Sequence, residues 1–308
     1  MAAPERWDEA CFAVPALRSL VASGLVTGVL CPAAQREFWE TVENLVVIDF
    51  PMKAKPRAVA AVIAGNWEAS LAWETGMAAE AFKLAAIPRR LGASEPKLAK
   101  LLTHPLGFAE GPLEHRVRHY LAAVEEMGVE TGRAEFFAPA ALGIEPVRGA
   151  VLLCPDSDFG PSHEWPIERW VEIGRKLMES GRRITVASME ATRGHGRFLA
   201  QNLGDGVEFF HASPLAGALP LLAVHGLVIA ADGSLPHLAA HAGATCVTLF
   251  GPNDPAWKRP LGRRHAVVRR HVECAPCLLA KCPLDMRCQN ELETERVWQV
   301  VMEKLDLS

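Results

Sequence analysis

Short apolar, β-branched runs alternate with helical patterns of ten to fifteen residues along most of the chain. That alternation confines it to parallel sheets built from βαβ units. The second half shows the scheme most cleanly. It runs as strand "AVLLC" (150–154), loop "PDSDFGPSHEWP", helix 166–180, strand "RITVAS", helix 191–203, strand "VEFF", helix 214–224, strand "GLVIAA", a loop, a helix and strand "TCVTLF". The first half repeats it in "PALRSLVASGLVTGVL", "EFWETVENLVVIDF" and "AVAAVIAGNWEASLAW", then in the helix "TGMAAEAFKLAAIPRRLG", closed at Ile87-Pro88. An amphipathic helix, "HRVRHYLAAVEEMGVE", stops at Gly128, and the Pro- and Gly-rich stretch 132–149 has no periodicity.

A chain of 308 residues is long for one domain. The expected architecture is therefore α/β with two Rossmann-like, doubly wound domains facing across a cleft, residues 1–145 and 146–308. In such sheets ligands bind beyond the carboxyl ends of the strands. That rule points to the loops beginning at Pro155, Met189, Asp232 and Gly251.

Charge argues against a nucleic-acid partner. The net charge is -4, with 15 Lys and Arg against 18 Asp and Glu up to residue 150 and 17 against 18 after it. The densest basic run, "GRRHAVVRRH" (262–271), reads as a short strand with arginines at both ends. The N-terminus "MAAPERWDEA" lacks the basic and apolar regions of a signal peptide. The longest apolar stretch, residues 219–231, is too short to span a bilayer and carries His225. A cytoplasmic enzyme is the expectation.

In "ADGSLPHLAAHAG" (231–243) Asp232 ends a strand, Gly233 and Ser234 form the corner, and Pro236 suits a first helical turn. The helix start offers free N–H groups and a positive dipole end, a place for phosphate. On the alternative reading Asp232 or Ser234 merely caps the helix and His237 packs on the sheet.

"DGSLPHLAAHAGATCVTLFGPNDPAWKRP", taken with "CPDSDFGPSHEWPIERWVEIGRKLMESGRRITVAS", resembles the bacterial heptosyltransferases of glycosyltransferase family nine. The second segment looks most like the lipopolysaccharide heptosyltransferase II branch. "PALRSL", "AAIPRRLG" (85–92), "HRVRHYLAAVEEMGV" (115–129) and the cysteine-rich tail extend the resemblance over nearly the whole chain. It implies a GT-B fold, an ADP-sugar held mainly by the C-terminal domain, and inverting transfer to a lipopolysaccharide core or other glycan acceptor held by the N-terminal domain. It implies no required cofactor, and a place in the cytoplasm or at the inner face of the inner membrane, with peripheral membrane contact.

Carried over position by position, the family's Asp-Thr/Ser-Gly-Leu-x-His loop falls on Asp232 to His237. Leu235 and His237 are in register, and Gly233-Ser234 stand in swapped order. Donor contacts are implied for Asp232, Gly233, Ser234, Leu235, His237 and Ser157. Where the family has Pro-Gly and later Lys-x-Trp-Pro, this chain has Pro155-Asp156 and His163-Glu164-Trp165-Pro166. His163 thus replaces a lysine that neutralises the leaving diphosphate, and Asp156 would oppose that charge. A protonated His163 serves only in part, given an ordinary pKa of about 6.5. "WDEACFAVPALRSL" places Glu9 at the catalytic carboxylate, the general base, and Asp8 at a glycine; the alternative is a solvent-facing Glu9 in a helix first turn. Glu190 falls near a ribose-binding carboxylate or else forms a surface ion pair. "MAAPER" is not the apolar first strand that relatives show, so the start lies upstream or the first sheet lacks its central strand. A catalytically lapsed relative, acting as a nucleotide-sugar or glycan-binding or partner protein, would show the same departures.

Cys274, Cys277, Cys282 and Cys288 follow C-x2-C-x4-C-x5-C spacing. That spacing leaves open a structural zinc(II) site, one or two disulfides, or free thiols in an irregular loop. Cys11, Cys31, Cys154 and Cys246 sit in apolar contexts and read as core. His237 and His241 share a helix face but lack a third metal ligand.

Overall fold

A computed structural model describes residues 1–107, 114–189, 194–212 and 215–306 of the chain. The chain divides into two compact units, Met1–Phe137 and Ala138–Ser308.

The first unit contains strands β1 (Gly28–Pro32), β2 (Val46–Phe50), β3 (Ala69–Ala72), β4 (Arg89–Ala93) and β5 (His104–Leu106). Its helices are α1 (Trp7–Ala22), α2 (Arg36–Trp39), α3 (Pro56–Ile63), α4 (Met77–Leu84) and α5 (Val117–Glu126). All strand pairs are parallel, β1 with β2, β3 with β4 and β4 with β5. Met1–Ala3 fills the gap between β1 and β3. The Ala2 N–H donates to Leu71 O at 2.9 Å, Ala3 N–H to Leu30 O at 2.9 Å, and Leu30 N–H to Met1 O at 2.8 Å. This corrects the expectation that "MAAPER" cannot form the first strand. A central parallel strand needs its backbone groups paired and its side chains buried. Met1–Ala3 meets both needs, with Ala2 and Ala3 7% and 9% exposed, and Pro4 comes only after the last paired N–H.

With that segment included, the strand order is β2, β1, Met1–Ala3, β3, β4, β5. The direction of winding switches between Met1–Ala3 and β3, the place where a doubly wound sheet opens a crevice. α1 begins four residues past Ala3, which sets Asp8 and Glu9 at this end of the sheet. Leu30, Phe50, Val59, Ile63, Phe82 and Ile87 form the core on one face.

The second unit has strands β6 (Val147–Cys154), β7 (Arg183–Met189), β8 (Glu208–Ala212), β9 (His225–Ala231), β10 (Thr245–Phe250) and β11 (Ala266–Arg269). Its helices are α6 (Ile167–Glu179), α7 (His195–Leu203), α8 (Leu219–Val224), α9 (Ser234–Ala242), α10 (Pro255–Lys258), α11 (Arg287–Asn290) and α12 (Thr294–Asp306). The six strands form one parallel sheet in the order β11-β10-β9-β6-β7-β8. Winding proceeds outward from β6 to β8, returns to β9 and proceeds the other way, so the switch point lies between β6 and β9.

Continuous apolar runs such as Leu227–Ala231 suit strands covered on both faces. Trp170, Ile173 and Leu177 of α6 and Val297 and Val301 of α12 cover one face, packing on Val151, Leu153, Ile229 and Leu249. Each such fully buried side chain contributes about 1.5–3 kcal/mol. The basic run 262–271 contains β11, paired in the sheet through Ala266–Arg269. No helix among the described residues is long and apolar enough to cross a membrane.

Candidate active site

The switch point of the second unit gathers three loops, those following β6, β9 and β10. Asp232, the residue after β9, is fully buried. Its Oδ2 accepts from His163 Nδ1 at 3.0 Å and from Asn253 Nδ2 at 2.7 Å. When Asp232 is ionised both of its oxygens only accept, and Nδ1 then carries the proton of this bond. Burial pushes the Asp232 carboxyl above its usual range, opposed by the bonds from His163 and Asn253 and by the charge of Lys258. Asp232 Oδ1 is buried with no hydrogen-bond partner among the described residues. A ligand donor is the ordinary remedy for such an atom.

His163 is 2% exposed and belongs to a short 3-10 turn, Pro161–His163. The expected lysine substitute is thus one half of a buried Asp–His pair. Trp165 fixes the far side of this loop, donating from Nε1 to Leu292 O at 2.8 Å. Gly160 has φ +112°, and a Cβ there would lie 2.5 Å from Ala280 O. Only glycine takes that conformation and that contact together. Ser162 N–H donates to Ala280 O at 3.2 Å, while Cys277 and Leu278 N–H both donate to Pro252 O at 3.0 Å. The cysteine-bearing segment therefore ties the loop after β6 to the loop after β10.

Two aspartates of "CPDSDFGP" occupy helix N-termini. Asp156 accepts from His195 N–H and Gly196 N–H at the start of α7, each at 3.0 Å, and from the Ser188 hydroxyl. Asp158 accepts from the Ser234 N–H at 2.8 Å and the Ser234 hydroxyl at 2.6 Å, at the start of α9. Carboxylates are favoured at these ends by the helix dipole and the unpaired N–H groups. Neither Asp232 nor Ser234 caps α9 with its own side chain. Gly233 is the N-cap, and a Cβ on it would sit 2.8 Å from Asp158 Oδ1 and 3.3 Å from Ser157 Oγ. The swapped order follows from this. A hydroxyl at 234 reaches Asp158, and a Cβ at 233 would press on the Asp158 carboxylate and the Ser157 hydroxyl. Ser157 Oγ donates to Asp232 O at 2.5 Å. Leu235 and His237 are buried along α9, each 2% exposed. Glu190 lies outside the described residues.

Glu9 stands at the switch point of the first unit. Arg116 donates to Oε1 from Nε at 3.2 Å and to Oε2 from Nη2 at 3.3 Å, and the Tyr120 hydroxyl donates to Oε2 at 2.7 Å. Burial first, then the neighbouring Glu9, pushes the Tyr120 phenol well above its ordinary value, so it stays a donor. Asp8 is fully buried and takes two bonds from Arg6, 3.0 and 3.1 Å. Glu74, two residues past β3, has its carboxyl raised by burial and by Glu5, Glu9 and Glu95.

Metal ligands converge in one place among the described residues. Asp156, Glu164 and His195 have ligand atoms within 4.8 Å of one another. With three donors already on Asp156, that carboxylate serves as a helix cap. The four clustered cysteines form no such group, and His237 and His241 belong to none. The structure gives zinc(II) at the cysteines no support. Burial, then the neighbouring thiols of Cys274, Cys277 and Cys282, push the Cys288 thiol up to about 11. Cys11, Cys31, Cys154 and Cys246 are buried.

Residues that pattern reading did not single out are Arg116, Tyr120, Asp158, Asn253 and Lys258. Lys258 stands on α10, half-buried, with Nζ 5.3 Å from the Phe159 ring centroid. "FGPNDPAWKRP" was visible as a motif, yet no spacing rule connects Asn253 or Lys258 to Asp232.

Two Rossmann-ordered units, with polar residues of the second gathered at its switch point, define a GT-B type architecture. The profile of glycosyltransferase family 9 (heptosyltransferase) matches residues 116–287, more than half of the chain, and the chain belongs to that family. It is 26% identical over 128 residues to lipopolysaccharide heptosyltransferase 2 of Escherichia coli K12. That aligned segment covers 40% of this chain and 36% of the relative. The fold matches E. coli ADP-heptose lipopolysaccharide heptosyltransferase II with TM-score 0.78 at 18% identity, covering 99% of this chain and 97% of the other. A family 9 glycosyltransferase of Veillonella parvula gives TM-score 0.83 at 14% identity, covering 100% and 96%.

Proposed function

We propose that this chain is an inverting glycosyltransferase moving a heptose or related sugar from an ADP-sugar to a lipopolysaccharide core or similar glycan acceptor. One observation carries the reading. The family match spans both loops that flank the β6/β9 switch point, where the fold itself calls for a ligand. The likeness to an ADP-heptose transferase supports the donor class.

In this reaction Glu9 takes the proton of the acceptor hydroxyl while that oxygen bonds to the anomeric carbon. The bond from that carbon to the phosphate oxygen breaks, and the negative charge passes to ADP. Stabilising that charge is the largest demand on the site. The N-terminus of α9 at Ser234, protonated His163 and Lys258 meet it, Lys258 adding a permanent cation to the partial one at position 163. Arg116 and Tyr120 position Glu9. Gly233, Leu235, His237, Ser157 and Asp232 shape the donor pocket, and Glu190 takes the ribose. The acceptor falls to the first unit and the donor to the second. No cofactor takes part. The enzyme works in the cytoplasm at the inner face of the inner membrane, through peripheral contact.

A second reading, a lapsed member that binds nucleotide-sugars, glycans or an active partner, is favoured by the carboxylates of Asp156 and Asp158 at two helix ends. Incubation with ADP-heptose and a panel of lipopolysaccharide core acceptors, following ADP release, separates the two. Turnover is expected; saturable ADP binding with no release on any acceptor would favour the lapsed reading.

A further inference from the structure

We infer that Asp158 is an internal anion holding the place of the donor diphosphate, and that donor binding requires it to leave Ser234. This inference rests on the reading of the β9–α9 loop as the diphosphate site. The Ser234 N–H and hydroxyl are two of the donors at the start of α9, and Asp158 takes both, at 2.8 and 2.6 Å. A carboxylate and a phosphate oxygen compete for the same donors, and like charges cannot share them.

The two aspartates of the loop differ in how they are held, Asp156 buried and Asp158 exposed. Asp156 is 3% exposed and holds donors from three residues, His195, Gly196 and Ser188, which makes it a fixed part of the α7 start. The Asp158 bonds all come from one residue. Its neighbour Phe159 lies under Lys258, 5.3 Å from Nζ, and meets the His163 ring edge-on at 5.6 Å. Moving Asp158 off Ser234 therefore also moves Phe159, and gives the Lys258 ammonium to the incoming anion. One carboxylate leaves and a diphosphate takes its donors together with a cation. Asp158 in this role sets donor affinity and selects for ligands with a bidentate anionic group, because a neutral nucleoside has nothing to exchange for it.

The test is calorimetric titration of ADP and of adenosine into the wild-type protein, D158A and D158N, with folding of each checked by thermal unfolding. D158N keeps an acceptor for the Ser234 N–H and guards against a poorly folded D158A. ADP affinity at least tenfold higher in D158A, severalfold higher in D158N, and adenosine affinity unchanged are expected. Binding of ADP by the variants alone would also support the inference. Equal or weaker ADP binding in both folded variants, with the wild type binding, overturns it and leaves the donor-site reading standing. No ADP binding by any of the three overturns both.

Discussion

His163 Nδ1 and Asp232 Oδ2 meet at 3.0 Å with both side chains buried, 3% and 0% exposed. Removing one partner of such a pair leaves an uncompensated charge, at a cost of about 3 kcal/mol. H163A should lose about that much stability in urea unfolding, and the double variant H163A/D232N should recover most of it. The pH dependence follows from the raised Asp232 carboxyl. A carboxyl raised on folding binds its proton more tightly in the native state, so stability present at low pH is lost as pH rises above the unfolded value of about 4. H163A should show that falling slope above pH 4 more steeply than wild type, and H163A/D232N should not.

Glu9 carries the proposed proton transfer, held by Arg116 and Tyr120. E9Q should lower kcat by about 10²–10⁴ with ADP affinity unchanged. Y120F should cost far less, as a positioning residue. An E9Q rate equal to wild type in ADP-release kinetics would remove Glu9 from the mechanism.

Lys258 is proposed as the cation for the departing diphosphate. K258M should weaken ADP binding about tenfold, the effect of losing one charge-assisted contact, without changing adenosine binding. Titration of both ligands at two salt concentrations checks this, because the ADP term alone should be salt-dependent.

Much of the fold was legible because period-2 and period-3.6 patterns report burial directly, as in "GLVIAA" and the α6 segment. Three paired segments of the first unit escaped: Met1–Ala3, β4 and the three-residue β5 (His104–Leu106). Met1–Ala3 is three residues without a β-branched side chain, identified as a strand only by bonds to Leu30 and Leu71. β4 starts with two arginines, and its Gly92 packs against Ala72 O, a contact that a Cβ would bring to 2.4 Å. The site was legible by position and not by partnership. Asp232 was singled out by loop placement, and Glu9 and His163 only by the family resemblance. Their partners lie far along the chain, 107 residues away for Arg116 on Glu9 and 69 for His163 on Asp232. Asp158 was hidden for the same reason, 76 residues from Ser234, and spacing carries no information at that range.

The Gly160 turn holds His163 in place through backbone contact with Ala280. G160A should cost about 1–3 kcal/mol, because both its φ of +112° and the 2.5 Å approach to Ala280 O are then strained. ADP affinity should fall with it. Thermal unfolding and titration on one sample measure both.

Hydrogen–deuterium exchange with and without ADP addresses the central claim, that the loops at the β6/β9 switch point receive the donor. Added protection is expected in segments 155–165, 232–238 and 251–258 at saturating ADP, with the exchange of the first unit little changed. Protection confined to other segments, or none in these three from a protein that binds ADP, would contradict it.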